Sequence, residues 1–184
     1  MESRTTHAQR AFIFRNIDSQ ESEQLITLER TCFPPEQAIP EKSLRDLTRA
    51  AADLSLVAID PETGKIAGAL FGLATNEDKF MDDFFMKPEM HDNNGKNIML
   101  LGLEVFPKYR GQGLARSLME QYLQIERDRK RHEVFLTCVA GKIGMYERMG
   151  FVSHGQSASV LGGEIWYDMS IVLDAKTSQQ KEND

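Results

Sequence analysis

The sequence predicts an α+β fold, one mixed sheet with helices packed on it. Apolar runs of strand length alternate with stretches of helical spacing in the order β-α-α-β-β-β-α-β-α-β-β. At 184 residues the chain is long enough for one domain with a real core and too short for two. The third observation is an apolar strand, a turn with two glycines and a long amphipathic helix, which follow one another without a break from residue 97 onward.

Taken in order, residues 11–17 (AFIFRNI) read as a strand. Residues 20–32 carry Leu25, Leu28 and Cys32 at helical spacing, and Phe33-Pro34-Pro35 stops that helix. A second helix spans 41–52, with Leu44, Leu47 and Ala51 on one face. LSLVAI (54–59), the turn DPETGK (60–65) and IAGALFGL (66–73) form a hairpin signal, since Asp-Pro and Thr-Gly punctuate two apolar runs. Residues 75–96 read as a polar loop with a turn at Asn93-Asn94-Gly95. NIMLLGLEV (97–105) is apolar almost throughout, as a central strand covered on both faces would be. In the segment that follows, Leu114, Leu118, Tyr122 and Ile125 recur every three or four residues, which gives a helix of about five turns. EVFLTCV (133–139) is a strand, residues 141–150 a short helix ended by Gly150, and 151–160 and 164–173 two closing strands. The domain is therefore expected over 11–173, with an N-terminal extension at 1–10 and a polar tail at 174–184.

Composition narrows the function. The net charge is −6, from 28 acidic and 22 basic residues, which disfavours nucleic acid or an anionic membrane as partner. No apolar stretch approaches the roughly 18 residues that span a bilayer, and the first ten residues have no apolar core of a secretory signal. Cys32 and Cys138 lie far apart without metal-ligand spacing, so a reduced cytoplasmic setting and no metal are expected.

The most informative stretch is Arg110-Gly111-Gln112-Gly113-Leu114-Ala115, between the apolar strand and the long helix. Glycines let a backbone turn tightly with its N–H groups exposed. The first N–H groups of a helix have no intrahelical partner and carry the positive end of its dipole, so the place suits a diphosphate. Arg110 and Arg116 can add charge at its edges. A strand-to-helix turn using glycine for geometry alone is the plain alternative. A dinucleotide fingerprint is disfavoured, because Arg116 stands where its third glycine would be.

Val105-Phe106-Pro107-Lys108-Tyr109-Arg110-Gly111-Gln112-Gly113-Leu114-Ala115 resembles the central motif of the GNAT N-acetyltransferase superfamily. Tyr146-Glu147-Arg148-Met149-Gly150-Phe151 resembles its Tyr-x-x-x-Gly-Phe element, so the likeness covers 97–152. Glu29-Arg30-Thr31-Cys32-Phe33-Pro34-Pro35-Glu36-Gln37-Ala38 and Leu161-Gly162-Gly163 extend a weaker likeness across 12–173. It points to the arylalkylamine (serotonin) N-acetyltransferases and their fungal polyamine-acetylating relatives. The resemblance implies a mostly antiparallel seven-stranded sheet, splayed between two parallel central strands and flanked by about four helices. It implies acetyl-CoA as cofactor, a monomer or weak dimer, and direct transfer to a small primary amine through a ternary complex. A protein N-terminal or lysine acetyltransferase and a non-catalytic CoA-binding module remain the alternatives.

By residue, the resemblance implies a bulge at Leu103, Glu104 and Val105, whose main chain meets the pantetheine arm. It sets the diphosphate on the N–H groups of Gly111, Gln112, Gly113, Leu114, Ala115 and Arg116, and Tyr146 beside the sulfur. A main-chain N–H near Val105 can bind the carbonyl oxygen as charge develops, and Tyr146 can protonate the leaving sulfur; a core tyrosine is the alternative there. The two strand histidines of animal relatives fall on Met99 and Leu101, which cannot move a proton. Glu104 is the nearest titratable residue, against the plain reading of a glutamate facing solvent; His91 and His154 are other options. Phe33, Pro34, Pro35, Leu161, Glu164 and Trp166 are expected to form the amine pocket, with Glu164 meeting a second charge of a polyamine. Asp82 and Asp83 are further acidic candidates. Many superfamily members have asparagine where Val139 stands, and Lys142 can reach the phosphates or simply lie on the surface.

Overall fold

The computed structural model describes residues 11–173, so the expected extension at 1–10 and tail at 174–184 lie outside the described residues. The strands are β1 (Ile13–Asn16), β2 (Ser55–Asp60), β3 (Lys65–Thr75), β4 (Asn97–Val105), β5 (Glu133–Val139), β6 (Val152–Gln156) and β7 (Trp166–Val172). The helices are α1 (Ser22–Cys32), α2 (Glu41–Ala50), α3 (Asp83–Met86), α4 (Leu114–Asp128) and α5 (Ile143–Glu147). One sheet results, ordered β1-β2-β3-β4-β5-β7-β6. Every neighbouring pair is antiparallel except β4 with β5.

Sequence chemistry explains this order. The Asp60 to Lys65 turn returns the chain at once, so β2 and β3 pair as a hairpin. Every residue of β2, and of β3 after Lys65, is buried, as near-continuous apolar runs require when helices cover both faces. Helix α4 lays Leu114, Leu118, Met119, Tyr122 and Leu123 onto the sheet, and the Tyr122 hydroxyl donates to the Leu54 carbonyl at 3.2 Å. Helix α1 buries Leu25, Ile26 and Leu28 against β3, β4 and α2. No helix among the described residues is long and apolar enough to cross a membrane.

Two features of β4 position the site. Its parallel ladder to β5 runs only from Asn97–Glu133 to Met99–Phe135, and beyond it the two strands part. Its pairing with β3 slips by one residue, so that Phe71 faces Gly102 while Gly72 faces Leu100. The extra residue is therefore Leu101, two positions earlier than the Leu103 to Val105 expected. An inserted residue re-aims the side chains that follow it. Gly102 is required there, since a Cβ would collide with the Phe71 ring and stand 2.8 Å from Glu104 Oε1.

The segment 75–96 departs from the expected polar loop. Phe80, Phe84 and Phe85 are buried, the latter two on α3, and their rings pack with Phe80 at 5.9 and 5.3 Å. The closing strands are shorter than expected because residues 157–165 form a turn-rich loop between β6 and β7.

Candidate active site

A cavity of about 520 Å³ fills the gap where β4 and β5 part. One end is formed by the start of α4 and the turn before it. Gly111 and Gly113 have φ of 73° and 77°, a left-handed conformation in which other residues are strained. Gly113 caps α4 without a side-chain bond, and the first helical bond is Ser117 N–H to Gly113 O at 3.0 Å. Among the described residues, the main-chain N–H groups of 111–116 have no partner. A row of bare N–H groups at the positive end of a helix dipole binds an anion such as a diphosphate. Gly111, Gly113, Leu114 and Ala115 line the cavity, whereas the Gln112 and Arg116 side chains do not. Arg116 pairs instead with Glu120 at 3.2 Å, and the Gln112 amide donates to Lys108 O at 3.4 Å. Arg110 turns back on β4: its Nε donates to Val105 O at 2.9 Å and its Nη2 to Cys32 Sγ at 3.4 Å.

The middle of the cavity is walled by residues 100–105 of β4 and 136–139 of β5, with Met145 and Tyr146 from α5. Beyond the last β4–β5 pair, the main chain on each side of the gap has no ladder partner across it, so an extended ligand arm can take that place. Tyr146 is nearly buried and stands edge-on to Phe151 at 5.7 Å. Burial first, then the neighbouring Cys138 and Glu104, push its phenol far above the ordinary tyrosine range, so it stays protonated. Val139 and Lys142 also reach the cavity. The bare N–H row and the unpaired strand walls thus fit a diphosphate carried on a pantetheine arm.

The cavity is also lined by two carboxyls that the sequence did not place together. Glu104 is 2% exposed, which excludes the solvent-facing alternative, and Glu29 of α1 is 2% exposed as well. Glu29 Oε1 accepts the Ile39 N–H at 2.8 Å. Glu29 Oε2 and both Glu104 oxygens meet no donor among the described residues. The two side chains lie within hydrogen-bonding reach of each other, a contact that only a proton held between them makes favourable. Burial, and for Glu104 also the nearby Glu29, raises both carboxyls above the ordinary range. Cys32 beside them donates to Val105 O at 3.7 Å, and burial raises its thiol against the pull of Arg110.

Apart from Gln37 and Cys32, the lining around this pair is apolar: Phe33, Ile39, Phe85, Leu161 and Trp166. Three expected pocket residues are absent from it. Pro34, Pro35 and Glu164 are exposed and lie outside the lining, because Phe33 ends α1 in extended backbone that carries the prolines outward and Glu164 follows the left-handed Gly162 and Gly163. The other expected candidates, two histidines for proton transfer and two aspartates for substrate charge, are occupied elsewhere. His91 Nδ1 accepts the Ala74 N–H at 3.1 Å, and His154 Nε2 meets Ser170 Oγ at 2.7 Å. Asp83 pairs with Lys87 at 2.9 Å, and Asp82 Oδ2 accepts the Val160 N–H at 3.0 Å. Met99 is fully buried, while Leu101 reaches the cavity.

Comparison with known proteins follows the same lines. The Acetyltransferase (GNAT) family model matches residues 22–151. N-acetyltransferase 8B of Homo sapiens is 32% identical over 94 residues, which cover 49% of this chain and 41% of that protein, so the match spans less than half of the relative. The loading GNATL domain of CurA from Lyngbya majuscula superposes with a TM-score of 0.77 at 13% identity, covering 89% of this chain and 98% of that one. The GphF GNAT-like decarboxylase, solved with isobutyryl-CoA, superposes with a TM-score of 0.72 at 17% identity, covering 88% and 100%. At such identities the two structures speak for the fold alone.

Proposed function

The chain belongs to the acetyltransferase (GNAT) family, and on that premise we propose that it moves acetyl from acetyl-CoA to a small primary amine, an arylalkylamine or a polyamine, by direct transfer in a ternary complex. One observation carries this reading. A single cavity is lined both by the turn bearing the bare N–H row of 111–116 and by a buried carboxyl pair among largely apolar side chains.

Acetyl-CoA, when bound, supplies an acetyl group activated as a thioester. The N–H groups of 111–116 would hold its diphosphate, and the main chain of Leu103, Glu104 and Val105 would meet its arm. The remaining chemistry falls to side chains at the gap. Glu104, sharing a proton with Glu29, takes the proton of the incoming ammonium at a carboxyl oxygen; a carboxyl raised above the ordinary range suits that task better than an ordinary one. Main-chain N–H groups of β4 facing the gap stabilise negative charge on oxygen. Tyr146 Oη, kept protonated by its burial, gives a proton to the departing sulfur. Phe33, Phe85, Leu161 and Trp166 hold the body of the amine. With Glu164 outside the lining, the cavity walls offer no further carboxylate for a second cation, which favours an arylalkylamine over a polyamine.

Thiol release from acetyl-CoA with arylalkylamine, polyamine and peptide amines tests the proposal. An arylalkylamine is expected to lead the panel. A peptide preference of about tenfold, or ~1.4 kcal/mol in transition-state terms, would overturn it. Tight CoA binding with no thiol release for any amine would instead point to a binding module. Tyr146→Phe is expected to lower kcat about a hundredfold while CoA affinity stays near wild type.

A further inference from the structure

The loop 157–165 brings Leu161 into the wall of the cavity, and the rest of the molecule holds this loop from two directions. From one side, Asp82 Oδ2 accepts the Val160 N–H at 3.0 Å across 78 residues of sequence. From the other, Gly162, at φ 61°, sits so close to the segment after α1 that a Cβ would collide with the Gln37 side chain and stand 3.3 Å from Glu36 O. Within the loop, Ser157 Oγ and Ser159 Oγ accept the N–H groups of Ser159 and Leu161 at 3.1 and 3.4 Å. Trp166 Nε1 donates to Leu161 O at 2.8 Å. Leu161 and Trp166 both line the cavity, so the anchoring of this loop sets where those two walls stand. Asp82 immediately precedes α3, whose Phe85 lines the same cavity, and its Oδ1 is buried with no donor among the described residues. A carboxylate held beneath a loop in this way is not presented to a cationic substrate.

We infer that Asp82 is a specificity-determining residue: it latches the 157–163 loop across the acceptor end, closing a chamber that admits a compact amine and rejects a peptide. A compact amine ends inside the roof, whereas a peptide must run on past its own amino terminus and needs the roof to lift. Holding the roof shut lowers the ordering cost of binding the small ligand and raises the cost of the large one. This inference rests on the proposed function for the place of the amine, beside Glu29 and Glu104.

The test measures binding rather than turnover. With CoA present, affinities for phenethylamine and for an unmodified tetrapeptide are compared by calorimetry in the wild type, Asp82→Ala and Asp82→Asn, and Val160 amide exchange is followed in each. In Asp82→Ala, Val160 exchange is expected to quicken and the preference for phenethylamine to fall, each by about tenfold, the scale of one lost hydrogen bond. Asp82→Asn, whose amide oxygen still accepts, is expected to stay near wild type in both. Asp82→Ser, too short to reach Val160, repeats the comparison should the alanine variant not fold. Unchanged exchange or an unchanged preference in these shortened variants overturns the inference, as does a wild type that binds neither probe. A wild type that binds phenethylamine selectively yet never releases thiol would defeat the proposed function and leave the latch standing.

Discussion

Burial, more than any single neighbour, determines how Glu104 behaves. It and then Glu29 raise the Glu104 carboxyl well above the ordinary range. A carboxyl whose proton is held more tightly folded than unfolded favours the fold at low pH, and that contribution is lost as pH rises through the folded value. Wild-type stability is therefore expected to decline in denaturant titrations as pH rises from the ordinary carboxylate range through the raised folded value. Glu104→Gln should lessen the decline, and an equal decline in that variant would exclude the buried pair as its cause. The same coupling acts on rate. The acidic limb of kcat/KM should lie above the ordinary carboxylate range, and Glu29→Gln, which removes a like charge and leaves a donor, should move it down; a limb that stays in place would remove Glu29 from the proton path. Sequence reading found half of this pair. Glu29 stands four residues after Leu25 and three before Cys32, on the stripe α1 buries, so spacing alone could have marked it as an acid facing inward. The surroundings of Glu104 were not legible, because the extra residue at Leu101 shows only in the pairing of β4 with β3.

Strand β4, the turn after it and helix α4 form the element that sequence described best. An apolar run, two glycines and a regular stripe each report a local preference, and here no tertiary contact overrides them. The segment 75–96 shows the opposite case. Its charged residues suggested a solvated loop, yet Phe80 and Phe84 recur at a helical interval and are buried with Phe85, which supplies a wall of the cavity. The glycines of the turn allow a separation of strain from ligand binding. Gly64, in the β2–β3 turn, and Gly113 both have positive φ, and a Cβ at either meets nothing within 4 Å. Alanine at each should cost roughly 1–2 kcal/mol of stability through the left-handed conformation alone. Only Gly113→Ala should also weaken CoA in calorimetry, by about tenfold or more, since it disturbs the N–H row at the start of α4. Equal CoA affinity in the two variants would remove the turn from the cofactor site.

Across the whole molecule the sheet behaves as two parts joined by a short seam. Strands β1 to β4 pair through antiparallel ladders, as do β5 to β7, whereas the parallel pairing of β4 with β5 runs only from Asn97–Glu133 to Met99–Phe135 and then stops as the strands part. The cavity occupies the rest of that boundary. A ligand that lies along both open strand edges supplies contacts that the two walls cannot make with each other. Because the unfolded chain offers no such edges, CoA at a hundred times its dissociation constant should stabilise the fold by about 2.7 kcal/mol. For a chain of this size that is a rise of roughly 5–10 °C in Tm. The rise alone does not locate the ligand, since binding at the start of α4 would give it too. Hydrogen exchange separates the two. Filling the gap should slow amides of residues 137–139 on β5 together with those of 101–105 on β4, while β1 and β2, remote from the gap, follow only the global change. If CoA raised Tm but left exchange at 137–139 untouched, the ligand would rest on the helix alone, and the parting of the strands would need another explanation.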